Sequence, residues 1–331
     1  MSHYLMLAVG FALLLGGGEM LVRGAVSTAE RLGVSSLFIG VVIVGFGTSM
    51  PEMVTSVEAS LSGSPGIAIG NIVGSNIANI LLVLGLSALV APILVHPLAA
   101  TRDGLFVLGS TLLFVVIGLT LPLDRAAGAG LLLGLALYIG TSYRHEATTG
   151  DPQTENSSSS AERNDEFDTR AMSSEVAALA VRQQLAFPLA LTVGGLITLI
   201  IGGMLLIDGA RGIATEFGVS ETVIGLTIVA IGTSLPEIVT CVIAALRRHG
   251  DVALGNILGS CVYNLLAIAG VTAIISPTVI PAEIVRFDNF VLLAATVTML
   301  LFLRTGTRIG RVQGAVLCLS YITYLAWLWP S

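Results

Sequence analysis

The hexapeptide GTSMPE occupies residues 47–52 and returns as GTSLPE at residues 232–237. A shift of 185 positions (232 − 47) superposes the two copies, and it also superposes GNIVGS at residues 70–75 on GNILGS at residues 255–260. Self-similarity at one fixed offset predicts a fold of two structurally equivalent halves.

The repeat extends beyond these two motifs. Of the 60 positions in residues 33–92, 28 are identical to their counterparts in residues 218–277. Any two apolar helices share some residues by chance, but chance does not keep polar residues in register, as it keeps Asn79 with Asn264. The polar positions therefore carry the repeat.

The composition is that of a membrane protein. Of the 331 residues, 54% are hydrophobic and 11% are charged, and the mean hydropathy is +0.93. Soluble domains are typically about 25% charged, and a chain of this length cannot hide so much apolar surface from water. The three cysteines lie in apolar runs and are interpreted as small packing residues. A soluble protein is excluded.

Ten apolar runs are long enough to cross about 30 Å of hydrocarbon. They lie near residues 4–22, 34–61, 66–91, 104–121, 126–143, 186–207, 219–246, 251–276, 287–303 and 312–329. The predicted fold class is an all-α membrane protein with ten transmembrane helices in two inverted-topology five-helix repeats.

Three regions follow from this pattern. Residues 1–143 are predicted to form the first five-helix repeat and residues 186–331 the second. Residues 144–185 form an acidic linker that is expected to be disordered, apart from a short amphipathic helix near residues 171–184.

The orientation follows from the number of spans and from the arginines. Five spans per half is an odd number, so the second half enters the membrane upside down relative to the first. All 15 basic residues are arginine; twelve fall on the linker side of the membrane and three on the side of the termini. The positive-inside rule then predicts external termini and a cytoplasmic linker. The minimal, prokaryote-like length favours a location in the cell (inner) membrane of a bacterium.

Two carboxylates, Glu52 and Glu237, lie in the middle of apolar spans at equivalent positions of the repeat. An unpaired charge at membrane depth costs about 3 kcal/mol or more, and neither span core contains a basic residue. Pro51 and Pro236 precede the glutamates and are expected to break each helix. Paired inward carboxylates beside broken helices predict a site for a desolvated cation.

Neutral oxygen donors accompany the glutamates in both halves: Thr48, Ser49, Ser75 and Asn79 in the first, and Thr233, Ser234, Ser260 and Asn264 in the second. Ser75 and Asn79 are four residues apart and share one helix face, as their counterparts do. Hard cations such as Ca²⁺ and Na⁺ prefer such oxygen ligands. Asn71 and Asn256 fit either coordination or helix packing.

The remaining acidic residues are interpreted as structural. Glu58 and Glu19 have no acidic counterpart in the other half, where Ile243 and Met204 take their places. Four acids near the ends of spans are expected to be solvated: Asp103, Asp208, Glu283 and Asp288.

The two Gly-Thr-Ser-x-Pro-Glu motifs, each followed by Gly-Asn-Ile-x-Gly-Ser, resemble the α-repeats of the sodium/calcium exchanger family within the cation/Ca²⁺ antiporter superfamily. The resemblance covers nearly the whole chain and implies a secondary active antiporter that exchanges Ca²⁺ for Na⁺ by alternating access. We expect no enzymatic activity, no cofactor, no nucleic acid and no obligatory protein partner. The expected partners are small inorganic cations and the lipid bilayer.

The resemblance also implies which residues bind the ions. Glu52 and Glu237 would bind Ca²⁺ and share Na⁺, and the backbone carbonyls of Thr48 and Thr233 would complete the Ca²⁺ site. The flanking Na⁺ sites would be lined by Ser49, Ser75, Ser234 and Ser260, with the backbone at Gly45 and Ala230. Asn79 and Asn264 would form the other diagonal of the central site.

One position departs from the family pattern. Well-known archaeal members carry an acid where this chain has Asn264, so the site holds at most two negative charges. Two carboxylates match one Ca²⁺, two monovalent ions or two protons. A Ca²⁺ (or other cation)/H⁺ antiporter that uses the same glutamates is therefore the alternative function. An ion channel is a further alternative, although an inverted repeat with broken helices is typical of transporters.

Overall fold

The computed structural model describes residues 2–95, 99–149, 169–218 and 230–328. Its main helices are α1 (His3–Leu32), α2 (Ser36–Leu61), α3 (Pro65–Val90), α4 (Gly104–Thr120), α5 (Arg125–Thr149), α6 (Thr169–Glu216), α7 (Leu235–Leu246), α8 (Gly250–Ile275), α9 (Asn289–Thr305) and α10 (Arg311–Leu328). Short helical segments precede α4, α7 and α9: Ala99–Asp103, Ala230–Thr233 and Ile284–Asp288. Two short strands, β1 (Ile93–Leu94) and β2 (Arg308–Ile309), pair antiparallel.

The protein is a multi-pass helical membrane protein. Within the described residues, eight helices are long and apolar enough to cross a membrane: α1, α2, α3, α5, α6, α8 and the helices Thr101–Thr120 and Ile284–Thr305, which contain α4 and α9. Large apolar side chains such as Leu112, Leu113 and Val116 of α4 are exposed on the outside of the bundle. Lipid is the solvent that accommodates such a surface.

The helices follow the predicted apolar runs, except at the two ends of the linker. Helical structure enters the predicted linker from both sides, because α5 continues to Thr149 and α6 begins at Thr169. The short helix expected near residues 171–184 is the start of α6. Residues rich in Ala, Leu, Glu and Gln favour helix once they adjoin a formed span. Residues 150–168 and 219–229 lie outside the described residues, and the division into three regions stays a prediction.

Two pairs of helices reproduce the sequence repeat with equal bounds. Adding 185 to the bounds of α3 gives those of α8, and adding 185 to the bounds of α4 gives those of α9. The halves also meet through equivalent residues: the hydroxyls of Thr111 and Thr296, 185 positions apart, lie 3.3 Å from each other. This contact between equivalent residues packs the two halves against each other.

Helix α2 is broken where the sequence predicts it. Its last helical stretch before the break ends at Thr48, and Ser49 adopts a turn conformation (φ −82°, ψ 4°) before the helix resumes at Met50. Ser234 does the same before α7 (φ −88°, ψ 4°). Pro51 and Pro236 occupy the first turn of the new helix. N–H groups there have no carbonyl partner within the helix, so proline costs no hydrogen bond at this position. The predicted breaks are confirmed.

Helices α3 and α8 form the centre of the bundle. In their apolar stretches 78% and 89% of the residues are buried, against 22% in α5. The other helices surround this pair, so the polar residues of the second motif, carried by α3 and α8, lie in the interior. This placement brings the two sequence motifs together.

Helices α1 and α6 pack closely along their length through glycines. A Cβ at Gly10 would lie 2.7 Å from the backbone nitrogen of Leu206, and one at Gly17 would lie 2.6 Å from that of Leu199. The opposing face carries Gly202, where a Cβ would lie 2.7 Å from the nitrogen of Leu14. Such separations leave no room for a side chain, as expected where membrane helices associate through small residues.

The adjacent residues Gly16 and Gly17 provide a matched test of this packing. Gly17→Ala should lower thermal stability in detergent by about 1–3 kcal/mol, because the new methyl group meets backbone that cannot give way. Gly16 is exposed, and among the described residues its Cβ would meet nothing within 4 Å. Gly16→Ala should therefore leave the unfolding temperature unchanged or raise it, since alanine favours helix. Equal effects of the two substitutions would contradict the close packing.

Candidate cation site

The two glutamates predicted from the repeat lie in the protein interior. Glu52 and Glu237 are each the third residue of the helix that follows the break, and both are fully buried. Among the described residues, no arginine forms an ion pair with either carboxylate. Each carboxylate at the start of a helix faces the positive end of the helix dipole, which favours negative charge only modestly.

Each glutamate is held by the serine of the other half. The Ser49 hydroxyl lies 3.4 Å from Oε1 of Glu237, and the Ser234 hydroxyl lies 3.4 Å from Oε1 of Glu52. The two bonds are related by the 185-residue shift. Since Ser49 is only three residues before Glu52, this crossing brings both carboxylates to one place between the halves.

Six buried polar atoms at the centre of the repeat have no hydrogen-bond partner in the described structure. They are Oε2 of Glu52, Oε2 of Glu237 and both side-chain amide atoms of Asn79 and of Asn264. Buried polar atoms are nearly always partnered in folded proteins. Oxygen atoms left without a protein partner at membrane depth are suited to coordinate a cation.

The two asparagines lie where α3 and α8 depart from regular α-helix. Asn79 begins the π-helical turn Asn79–Val83, and Asn264 is the second residue of the π-helical turn Tyr263–Ile268. Such turns insert one residue into the helix and often mark functional sites. The preceding serines, Ser75 and Ser260, are also buried. Sequence periodicity gives no sign of these turns, because they alter only the local hydrogen-bond spacing.

On the α8 side the donors bond to one another. The Thr48 hydroxyl donates to Oδ1 of Asn256 at 2.9 Å, and the Ser260 hydroxyl lies 3.3 Å from the carbonyl of Gly45. Asn256 donates in turn to the sulfur of Cys241 at 3.1 Å. The first two contacts join the first half of α2 to α8, and the third joins α8 to α7. Asn256 thus links α8 to both neighbouring helices through hydrogen bonds.

Glycines bring α2 and α8 into backbone contact beside these donors. A Cβ at Gly255 would lie 2.5 Å from the carbonyl oxygen of Leu37, and one at Gly259 would lie 2.6 Å from that of Val41. Both glycines are buried, so this flank of the site is closed.

The equivalent flank on α3 is open. Ile67 is 63% exposed, whereas its counterpart Val252 is fully buried, and Gly70 is exposed where Gly255 is buried. A cavity of about 390 Å³ lies against this face, lined by Asn71, Ser75 and Thr233 among others. Within the described residues the two flanks therefore differ, because the α8 flank is covered and the α3 flank is exposed. The counterparts of residues 34–44, which belong to the segment that covers the α8 flank, are residues 219–229 and lie outside the described residues.

The predicted ligands fall into this arrangement. Thr48 and Thr233 end the helical segments before the breaks and are buried, and the backbone of Gly45 and Ala230 lies earlier in the same two segments. Asn71 donates to the carbonyl of Glu52 at 3.2 Å, so it fixes the glutamate backbone.

Two threonines that were not among the predicted ligands belong near the site. Thr55 lines the cavity, and its counterpart Thr240 is buried with an unpartnered hydroxyl. Each lies one helical turn after its glutamate, and the two are identical at the 185-residue offset. That coincidence is the signal that could have identified them.

Of the acids expected to be solvated, one is not, and a second is only partly exposed. Asp103 is fully buried and bonded to Arg102 and Tyr138. Asp288 is partly buried and accepts a hydrogen bond from Tyr324 at 2.9 Å. Both lie at the ends of spans, as predicted; neighbouring helices cover Asp103, whereas Asp288 remains accessible from the cavity. Glu19 has the structural role predicted for it, since it pairs with Arg247 at 2.6 Å.

The donor set suits a hard cation that is bound and released. Among the described residues there is no cluster of three or more His, Cys, Asp or Glu side chains that would hold a metal permanently. Two carboxylates, hydroxyls, amides and backbone carbonyls supply the oxygen ligands that Ca²⁺ and Na⁺ accept. A multi-pass helical protein with such a site between two broken helices is a membrane cation transporter.

Comparison with known proteins gives the family. The sequence pattern of the sodium/calcium exchanger protein family matches residues 2–144 and 187–329, and the chain belongs to this family. The class is accordingly that of cation/Ca²⁺ antiporters.

Individual relatives match over the full length. The CaxA protein of Alkalimonas amylolytica is 38% identical over 328 residues, covering 98% of this chain and 97% of that one. The sodium/calcium exchanger MaX1 of Methanosarcina acetivorans is 32% identical over 340 residues, with coverage of 98% and 97%. A solved structure of the sodium-calcium exchanger NCX_Mj is similar with a TM-score of 0.82 at 31% identity, covering 98% of this chain and 99% of that chain.

Proposed function

We propose that the protein exchanges Ca²⁺ for Na⁺ across the cell (inner) membrane by alternating access. The observation that carries the proposal is the crossed pair of bonds, from Ser49 to Glu237 and from Ser234 to Glu52, beside carboxylate oxygens that have no protein partner. Both carboxylates become neutralised by one Ca²⁺ or by two monovalent ions. Competition for the same two charges couples the opposite fluxes.

The remaining ligands are assigned by position. The backbone carbonyls of Thr48 and Thr233 complete the Ca²⁺ site, and Asn79 and Asn264 form its other diagonal. Na⁺ occupies flanking positions lined by Ser49, Ser75, Ser234 and Ser260 with the backbone at Gly45 and Ala230. Burial of these hydroxyls within the interior supports their role as ligands.

The proposed topology is ten spans in two inverted repeats, with both termini outside and the linker in the cytoplasm. Element bounds that recur after 185 residues support two equivalent halves, and five spans in each half invert the second. The excess of arginine on the linker side supports the orientation. In this orientation the exposed start of α3 and its cavity face outward.

Alternating access is supported by the difference between the two flanks. The α8 flank is closed by glycine contacts with α2, and the α3 flank is exposed. Two halves of equivalent fold can exchange these conformations at little net cost, which opens the site to the other side. Inverted repeats typically drive transport in this way.

The coupling ion is tested by the gradient that drives uptake. Proteoliposomes loaded with Na⁺ and diluted into Na⁺-free buffer should accumulate ⁴⁵Ca²⁺, because outward Na⁺ flux releases the sites for Ca²⁺. Vesicles with an acid interior and no Na⁺ should accumulate little, and protein-free vesicles serve as the control. Uptake driven by the acid interior alone would assign the alternative, Ca²⁺/H⁺ exchange. Flux that needs no counter-ion would indicate a channel.

A further inference from the structure

A third carboxylate lies on the open route to the site. Asp288 ends the short segment Ile284–Asp288 before α9, and its Oδ1 accepts the hydrogen bond from Tyr324 of α10. Both residues line the same cavity of about 390 Å³ that reaches Ser75 and Thr233. The cavity thus connects a carboxylate near the membrane surface with hydroxyl groups beside the buried glutamates.

The equivalent acid in the other half shows what distinguishes Asp288. Asp103, 185 positions earlier, is fully buried, and Arg102 holds both of its oxygens at 2.9 and 3.0 Å. At the position equivalent to Arg102 the chain has Phe287. Among the described residues no basic side chain pairs with Asp288, and the exposed Arg286 is not among the residues that line the cavity.

The charge of Asp103 is therefore cancelled within the protein and that of Asp288 is not. The cavity around Asp288 has mostly apolar walls, including Ile67, Ile284 and Leu325. Low-dielectric walls focus the field of a carboxylate and raise the local concentration of cations. The Tyr324 hydroxyl fixes one carboxylate oxygen and leaves the other for a ligand.

We propose that Asp288, oriented by Tyr324, is an access site that binds the incoming cation transiently before it reaches Glu52 and Glu237. This inference rests on the proposed function, since it requires that the transported cation passes through the α3 flank. A single carboxylate binds a hydrated Ca²⁺ weakly, which permits the ion to move on. The site increases the rate of capture and takes no part in coupling.

The test compares Asp288→Asn with Glu283→Gln in proteoliposomes. Asparagine keeps the shape of Asp288 and an acceptor for Tyr324, and Glu283 is an exposed acid one turn earlier that does not line the cavity. For Asp288→Asn, the Ca²⁺ concentration at half-maximal initial ⁴⁵Ca²⁺ uptake should rise about three- to tenfold, with a maximal rate within about twofold of wild type. High ionic strength should shrink this difference through screening, and Glu283→Gln should behave as wild type.

Different failures have different meanings. If the wild-type protein shows no counter-ion-dependent uptake, the proposed function itself is wrong. If the wild type exchanges ions but Asp288→Asn and Glu283→Gln have the same half-maximal concentration, the access site is wrong. A lower maximal rate with an unchanged half-maximal concentration also overturns the proposal, because Asp288 would then act on packing or on the conformational change. Tyr324→Phe, which retains the charge, should shift the half-maximal concentration less than Asp288→Asn does.

Discussion

Glu52→Gln and Glu237→Gln should each abolish Ca²⁺ exchange while leaving the protein folded. Each substitution removes one of the two carboxylates that face the bound Ca²⁺. Removing one partner of a buried pair of opposite charges costs about 3 kcal/mol or more, and each 1.4 kcal/mol corresponds to about tenfold in affinity. A site that keeps one carboxylate should therefore bind Ca²⁺ about 100-fold or more weakly. Glutamine has the shape of glutamate and still accepts the bond from the serine of the other half, so the packing persists.

The measurement is ⁴⁵Ca²⁺ uptake into Na⁺-loaded proteoliposomes, with Ca²⁺-dependent thermal stabilisation in detergent as an independent readout of binding. Glu58→Gln is the matched control, because Glu58 lies on the same helix as Glu52, is exposed, and has Ile243 as its counterpart. It should transport at the wild-type rate. Exchange by either glutamate variant at more than about a tenth of that rate would exclude the shared two-carboxylate site.

Gly259→Val should reduce both transport and stability. A Cβ at Gly259 would lie 2.6 Å from the carbonyl oxygen of Val41 and 2.9 Å from its Cα, so α2 and α8 must separate. Forcing extra atoms into a packed interface typically costs about 1–3 kcal/mol. The same separation moves the Gly45 carbonyl away from Ser260 and disturbs the bond between Thr48 and Asn256. Transport should fall about tenfold or more, since a shift of this size changes conformational populations by 5- to 150-fold.

Gly74→Val, the substitution at the equivalent position, distinguishes an effect on stability from an effect on the transport cycle. Gly74 is partly exposed, and among the described residues a Cβ there would meet nothing within 4 Å. Its thermal stability should stay near wild type. Under alternating access the α3 flank must close in turn, so transport should fall in this variant as well. Full transport by Gly74→Val would argue against closure of the α3 flank during transport. Equal losses of stability in Gly74→Val and Gly259→Val would argue against the difference between the two flanks.

The sequence was informative wherever a local property decides the structure. Hydropathy identified the spans, because twenty apolar residues in a row have no other stable environment than lipid. Pro51 and Pro236 located both helix breaks, since a missing N–H acts within one turn. The offset of 185 residues alone pairs Glu52 with Glu237 and Asn79 with Asn264.

The sequence did not predict features that depend on contacts between residues distant along the chain. Asp103 and Asp288 occupy equivalent positions, yet one is neutralised by Arg102 and the other lines a cavity. The helical extension of α5 and α6 into the linker depends on the helices that they continue. The π-helical turns at Asn79 and Asn264 change hydrogen-bond spacing without changing the pattern of apolar residues.

The sequence by itself determined that this is a helical membrane protein of two equivalent halves, each with one buried glutamate beside a broken helix. Only the tertiary structure decided that the serine of each half holds the glutamate of the other, and that, among the described residues, the α8 flank is covered while the α3 flank is exposed. The reason is physical: composition and helix breaks act within a few residues, whereas contacts between the halves join residues about 185 positions apart. Two halves of similar sequence do not reveal which flank of the site is exposed.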